Sequence, residues 1–257
     1  MATFLFDSIV FGPVRSRRLG ASLGINLLPI NSKVCSFDCI YCECGWTDKT
    51  KKGKLPSRRE VRQYLDEKLQ EMQRKGDPLD VITYAGNGEP TLHPEFSAII
   101  DDSIELRNKY FPWAKIAVLS NSTMISKPEV VAALKRVDQN ILKLDSAFDS
   151  TIKLINQPRV KFSAEELVKN LKSFDGNLIV QTLFIRGLYE GAVIDNTTQV
   201  EVDSWVDLIK AIKPKEVMVY TIARDTPATG LEKVSLKDLN AIASRVEALG
   251  VPVQVSA

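Results

Sequence analysis

Apolar residues fall into two rhythms along this chain. Six short runs are almost wholly apolar: Ser22–Leu28, Asp80–Ala85, Lys115–Ser120, Ile141–Asp145, Asn177–Phe184 and Glu216–Ile222. Such runs predict parallel strands buried on both faces. Between them, apolar positions recur every three or four residues, as in amphipathic helices. Ser57 with Glu60 predicts a capping box, followed by the stripe Val61, Leu65, Leu69 and Met72 and a stop at Gly76. Ser126 with Glu129 predicts a second box, with Pro128 in the first turn, and Ser163 with Glu166 a third. Ser235 with Asp238 opens a last helix that Gly250 closes, and two more helices are expected at about Pro94–Tyr110 and Gln199–Ile212, the latter stopped by Pro214.

Six strand–helix units in succession predict an α/β protein with a parallel sheet and right-handed crossovers. Its chemistry should lie on the loops that follow the strands, whether the sheet closes into a barrel or stays open. No internal repeat, low-complexity tract or linker divides the chain. Residues 1–257 are expected to form one domain, with an N-terminal extension (1–21), a strand–helix body (22–250) and a C-terminal tail (251–257). The longest irregular pieces are the segment before Ser22, Pro29–Pro56, and Ile185–Asn196 with its Gly187 and Gly191.

Charge narrows the partners. Among 257 residues, 34 Lys plus Arg against 32 Asp plus Glu leave +2, which excludes a strongly basic nucleic-acid coat; any anionic partner must be met by a local patch. The 44% apolar content is too high for a disordered chain. No apolar stretch is long enough to span a bilayer, so no membrane partner is expected. Met1–Pro13 lacks a basic leader and a cleavage site and reads as folded protein, not a signal peptide. All four cysteines crowd between Cys35 and Cys44. Bridges between such near neighbours would stabilise little, so metal ligation in a reducing, cytoplasmic setting is the expectation.

The cysteine loop reads Cys35-Ser-Phe-Asp-Cys39-Ile-Tyr-Cys42, a C-x3-C-x2-C spacing. Three thiolates on one loop suit three irons of a [4Fe–4S] cube, leaving the fourth iron open to a ligand. A zinc site closed by Cys44 as fourth thiolate is the competing assignment, and the cysteines alone do not separate the two. After the second strand comes Gly86-Asn87-Gly88-Glu89-Pro90-Thr91-Leu92-His93-Pro94. Its glycines allow a ligand to approach the backbone, and Glu89 can accept from an ammonium group. Both loops belong to the same end of the sheet.

Together these motifs resemble the radical S-adenosylmethionine (radical SAM) enzymes. Tyr41 stands before the last cysteine, as in that family, and Gly86–Glu89 is similar to its Gly-Gly-Glu turn in a variant form. Phe11-Gly-Pro-Val-Arg15-Ser-Arg17-Arg18-Leu-Gly20 and Gly88–Pro94 resemble a subgroup of iron–sulfur oxidoreductases related to wyosine-type tRNA-modifying enzymes. The resemblance implies a partial (β/α)6 barrel of parallel strands with a short N-terminal extension. It further implies that Cys35, Cys39 and Cys42 ligate a [4Fe–4S] cluster whose open iron binds S-adenosyl-L-methionine (SAM). Glu89 and the Gly86–Asn87–Gly88 backbone would bond the SAM ammonium, and Tyr41 would lie beside the adenine. One electron from a flavodoxin- or ferredoxin-type donor would then release methionine and a 5′-deoxyadenosyl radical, which abstracts hydrogen from a small-molecule, peptide or RNA substrate.

Further polar residues are expected near the strand ends. Asn121, in Ser120–Thr123, suits a ribose hydroxyl or the SAM carboxylate, or else a turn before the next helix. Asp145 suits ribose or substrate, or an ion pair with an arginine. Gln181, Thr182, Arg186, Tyr220, Thr221 and Arg224 are candidates to line the cavity. The sole histidine, His93, is expected to be structural, and Trp46, Trp113 and Trp205 to pack. Of two basic clusters, Arg15, Arg17 and Arg18 are expected to bind a carboxylate or phosphate. Lys49, Lys51, Lys52, Lys54, Arg58 and Arg59 are expected mainly as solvated charge, or to dock an acidic reductant or RNA. Two alternatives accompany the radical SAM assignment: a wyosine-type tRNA modification enzyme, and a zinc-stabilised nucleic-acid-binding module without catalysis.

Overall fold

The computed structural model describes residues 4–16, 18–48, 50 and 53–257. Arg17, Lys49, Lys51 and Lys52 of the two basic clusters lie outside the described residues. One sheet holds eight strands, in spatial order β1 (Val10–Ser16), β2 (Gly20–Ile25), β3 (Val81–Tyr84), β4 (Lys115–Ser120), β5 (Gln139–Lys143), β6 (Ile179–Leu183), β9 (Glu216–Tyr220) and β11 (Val253–Ser256). The sheet is curled and open, a partial barrel. Its interior six strands are the six expected from sequence, all paired in parallel.

Both edges depart from expectation. The N-terminal extension supplies β1, antiparallel to β2, with a shift of register between Phe11 and Val14 where Gly12 and Pro13 interrupt the ladder. Proline is tolerated there because this is an edge strand. Val253–Ser256, expected as a tail, is β11, parallel to β9. Ile185–Asn196, expected to be irregular, is a hairpin of β7 (Ile185–Tyr189) and β8 (Ala192–Asp195), joined by β10 (Leu231–Lys233) into a three-stranded sheet. Glu190 and Gly191 both have positive φ, the two-residue turn that matches strand twist.

Helices cover the outer face: α1 (Arg58–Lys75), α2 (Phe96–Tyr110), α3 (Pro128–Arg136), α4 (Asp149–Asn156), α5 (Ala164–Lys172), α6 (Gln199–Ile212) and α7 (Leu236–Glu247). The Ser57–Glu60 box is formed reciprocally, and Ser163 and Ser235 cap α5 and α7. Ser126 does not cap α3. Pro128 forces the residue before it into extended backbone, so Lys127 takes the cap position without a side-chain bond. Helix α4 has no counterpart in the sequence expectation.

Period-two alternation explains why the strands read as continuously apolar. Ile82, Tyr84, Ile116, Val118, Leu142, Val180, Val217 and Val219 pack against the helices in the main core. The alternate residues Val81, Ala117, Ile141, Ile179 and Met218 form a second cluster inside the barrel, which Leu19 and Leu119 pack against. This apolar layer closes the barrel at the starts of the strands. Lys143, Gln181 and Tyr220, two residues further along, are polar and share the same face. Among the described residues no helix is long and apolar enough to cross a membrane.

Trp205 anchors α6 to this frame. It is fully buried, and its Nε1 donates to the Leu144 carbonyl (3.2 Å) and to Thr182 Oγ1 (3.1 Å). Thr182 therefore faces the helices and not the cavity. Trp205→Phe removes this donor and part of the ring, and should cost about 1–3 kcal/mol. Urea denaturation with an unchanged slope would report it, and a loss below about 0.5 kcal/mol would show the bonds to be dispensable.

Candidate functional site

Every loop expected to carry chemistry follows the C-terminal end of a strand. The cysteine loop is latched to the glycine turn by two backbone bonds: Val34 N–H to the Asn87 carbonyl (2.9 Å), and Glu89 N–H to the Val34 carbonyl (3.1 Å). Gly88 lies between them at φ +133°, and a Cβ there would stand 1.9 Å from the Val34 oxygen. On its other side the loop is held by α4: Ile40 N–H donates to the Ile155 carbonyl (2.9 Å) and Asp38 N–H to that of Asn156 (3.1 Å). Phe37 and Ile40, between the cysteines, are buried with Ile155, Leu183 and Ile185. The spacing thus alternates sulfur ligand with apolar anchor.

Two asparagines donate to cysteine sulfurs. Asn121 Nδ2 lies 3.4 Å from Cys35 Sγ, and Asn156 Nδ2 is 3.4 Å from Cys39 Sγ. Lys33 is buried beneath the loop, with Nζ donating to the Gly45 carbonyl (2.7 Å) and 3.3 Å from Asp38. Burial alone would push Lys33 down, yet negative charge on Cys42, Cys35 and Cys39, with Asp38, raises it to about 12. Cys35 is pushed up to about 12 by burial and by the Glu89 carboxylate. Burial also raises Cys39, against the pull of the Lys143 cation. Cys42 is held at about 6, chiefly by a hydrogen bond from the Cys44 thiol, with Lys33 assisting against burial. Cys44 itself stands 3.5 Å from the Gly86 carbonyl oxygen.

Glu89 is buried and receives four donors: Thr91 N–H (3.1 Å), Thr91 Oγ1 (2.5 Å) and Ser120 Oγ (2.9 Å) on one oxygen, and Asn121 N–H (2.6 Å) on the other. Burial raises its pKa and these donors oppose the rise. A carboxylate has about four acceptor sites, so the singly bonded Oε2 retains capacity toward a cation.

Several expected ligand contacts are committed elsewhere. The Asn87 amide bonds Phe6 through both of its ends and donates to the Pro29 carbonyl (2.8 Å), so its side chain pins the N-terminal segment. Asn121 is spent on Cys35, Ser36 and Thr123. Asp145 is fully enclosed. Its Oδ2 receives the Tyr41 hydroxyl, Asn156 Nδ2 (2.7 Å) and Lys143 Nζ (3.3 Å), while Oδ1 receives Leu183 N–H (3.0 Å). Its partner is a lysine and not an arginine, and its side chain is not free for ribose. The Tyr41 hydroxyl is pinned by the same network, leaving its ring as the surface it can offer. Gln181 is buried and accepts from Arg18 Nη1 (3.5 Å).

His93 is structural: Nδ1 accepts from Glu95 N–H, which makes Nε2 the donor to the Pro56 carbonyl. Arg186 pairs with Asp195 and Asp238, and Thr221 Oγ1 accepts from Val234 N–H (3.0 Å). Arg58 is exposed, as expected of surface charge, and also bonds Asp102 through two nitrogens (2.7 and 2.8 Å). Trp46 and Trp113 are exposed, and each packs on a single ring, that of Tyr189 (6.2 Å between centroids) and of Phe111 (5.6 Å) respectively.

Lys33, Lys143 and Asn156 were not candidates from sequence. Only Lys143 carried a signal, as the lone charge in Ile141-Leu-Lys-Leu144, two residues before Asp145 and on the same strand face.

Among the described residues, no three Cys, His, Asp or Glu side chains converge on one point as a single-ion site requires. A cube demands less convergence, because each thiolate binds a different iron.

Residues 32–197 match the profile of the radical SAM superfamily, well over half of the chain. The chain belongs to the radical SAM superfamily. A UPF0026 protein of Helicobacter pylori is 32% identical over 224 residues, covering 84% of this chain and 67% of that protein. The chain is also 31% identical, over 221 residues, to a protein of Brachyspira hyodysenteriae named GTPase Obg, of which it spans only 30%. In structure it is similar to a radical SAM methyltransferase from Sphaerobacter thermophilus (TM-score 0.67, 15% identity, 91% of this chain and 65% of that one). It is similar also to TYW1 with a lysine-pyruvate adduct bound (TM-score 0.61, 14% identity, 88% and 73%). At these identities the likeness is one of fold. Membership classes this chain with the radical SAM enzymes and implies the superfamily's typical use of a [4Fe–4S] cluster and SAM.

Gly88→Ala tests the latch. The methyl group has no space against Val34, and φ +133° suits glycine alone, so a loss of at least about 2 kcal/mol is expected together with a displaced cysteine loop. Faster thiol alkylation at Cys39 would report the displacement. Unchanged stability and reactivity would show that the loops are not coupled.

Proposed function

We propose that Cys35, Cys39 and Cys42 hold a [4Fe–4S] cluster with one open iron for SAM, and that the substrate occupies the barrel cavity beside it. One observation carries this reading. The three cysteines lie on a loop latched to the Gly86–Glu89 turn, with amide donors on two of their sulfurs. The donor set fits the group by its chemistry: three cysteine sulfurs on one loop, with no fourth protein ligand required. When bound, the cluster would supply one electron to SAM, giving methionine and a 5′-deoxyadenosyl radical that takes a hydrogen atom from substrate.

The chain's own residues hold and aim these groups. Asn121 and Asn156 fix Cys35 and Cys39 and stabilise negative charge on their sulfurs. Lys33 offsets the charge of the loop from below. Glu89, through its free acceptor capacity, and the Gly86–Gly88 backbone receive the SAM ammonium. Asp145, Lys143 and Asn156 fix the Tyr41 ring, the face offered to adenine. A flavodoxin- or ferredoxin-type donor would approach from the exposed side near Trp46, two residues past Cys44. Wyosine-type tRNA modification shares only a fold with this chain, and Lys49, Lys51 and Lys52, its candidate phosphate contacts, lie outside the described residues.

Cys35→Ala, Cys39→Ala and Cys42→Ala should each abolish iron binding, whereas Cys44→Ser should retain iron content and SAM cleavage. Loss of iron in Cys44→Ser as complete as in Cys42→Ala would refute the three-ligand site. Glu89→Gln keeps the shape and removes the charge. It should weaken SAM roughly ten- to hundredfold in equilibrium binding while iron content stays full. Unchanged affinity would make Glu89 purely structural.

A further inference from the structure

The barrel's open side leads into a cavity of about 730 Å³. One wall is aromatic: Phe6 stacks on Phe11 (3.8 Å between centroids) and Phe4 stands edge-on to Phe6 (4.9 Å). Arginines 15, 18 and 224 line the cavity as well. Arg224 is neutralised by Glu43 (2.5 Å), a neighbour of Cys42, and the exposed Asp225 is the other acid on the lining.

Arg18 differs from the paired arginines. Arg58, Arg62, Arg107, Arg136, Arg159, Arg186, Arg224 and Arg245 each have a carboxylate within 4.0 Å. Arg18 has none among the described residues, although it is half-buried. Its guanidinium lies 4.7 Å from the centre of the Tyr220 ring and makes one long side-chain bond, to Gln181 at 3.5 Å. A guanidinium has five donors, so most of this one is unspent. Arg15, exposed and also without a carboxylate partner among the described residues, adds a second cation at the same opening.

We propose that this cavity binds a small substrate with a planar or apolar body against the phenylalanines and an oxyanion, phosphate or carboxylate, on Arg18 with help from Arg15. Charge-assisted, forked bonding is what an unpaired arginine offers, and it matches both oxyanions. This deepens the proposed function, resting on it for the statement that the cavity is the substrate's. The same ligand chemistry could belong to the SAM carboxylate, which the test separates.

The probes are phenyl phosphate and benzoate, titrated calorimetrically into anaerobic, cluster-loaded enzyme with and without saturating SAM. At least one should bind saturably with SAM present, at least tenfold more weakly to Arg18→Gln, and unchanged to Arg74→Gln, whose arginine is exposed on α1. The better probe tells phosphate from carboxylate. Arg15→Gln, a change at an exposed side chain, should weaken binding several-fold and stands in if Arg18→Gln does not fold. Absence of saturable binding by both probes, equal binding by the arginine variants of the cavity, or displacement by SAM would each overturn the proposal. Iron content and SAM cleavage of the wild-type enzyme, measured in parallel, separate such a failure from a failure of the radical SAM site itself.

Discussion

The site depends on a close contact between two backbones. Val34, at the entry to the cysteine loop, is pinned on one side by Asn87 and on the other by Glu89, with Gly88 pressed against its carbonyl. Strands β2 and β3 are parallel neighbours, so their loops leave the sheet side by side. The latch converts that adjacency into a fixed distance between the sulfurs and the glutamate. Any side chain at residue 88 would force the loops apart. Asn26 reinforces the same corner by accepting from Leu28 N–H (3.1 Å) and Asn87 N–H (3.0 Å).

Charge is the second constraint. Three thiolates and Glu89 beneath one loop would repel one another in a low-dielectric interior. Two buried lysines answer this from opposite sides: Lys33 under the loop, and Lys143 from β5. Lys143 is also raised by Asp145 against the effect of burial, which keeps it a cation and ties it into the Tyr41 network. The amide donors of Asn121 and Asn156 act in the same sense without adding charge. Lys33 beside the loop and three positions distant from it in sequence, Asn121, Lys143 and Asn156, thus serve one electrostatic end.

Strand periodicity and local motifs made much of this legible in sequence. The six interior strands followed from apolar runs, because burial on both faces leaves no polar alternation to confuse them. The three cysteines were singled out by their spacing, and Glu89 by its glycine turn and the family resemblance. Three kinds of feature did not stand out. Edge strand β1 is interrupted at Gly12 and Pro13 and largely exposed, and edge strand β11 is short and half-buried, so they carry little apolar signal. Partners that act across long sequence separations, such as Asn156 with Cys39, leave no local pattern. A polar residue at a strand end can also be spent on its neighbours: Asp145 reads identically whether it bonds a ligand or Lys143. Arg18 shows the converse: no local pattern announces that, among the described residues, it has no carboxylate partner.

Electron paramagnetic resonance of the anaerobically reconstituted, reduced protein, recorded before and after SAM is added, tests the three-thiolate site most directly. A cluster with one open iron predicts four irons per chain and a reduced-cluster spectrum that changes when SAM takes the open position. A protein that takes up zinc and no iron, or a cluster whose spectrum ignores saturating SAM, would contradict it.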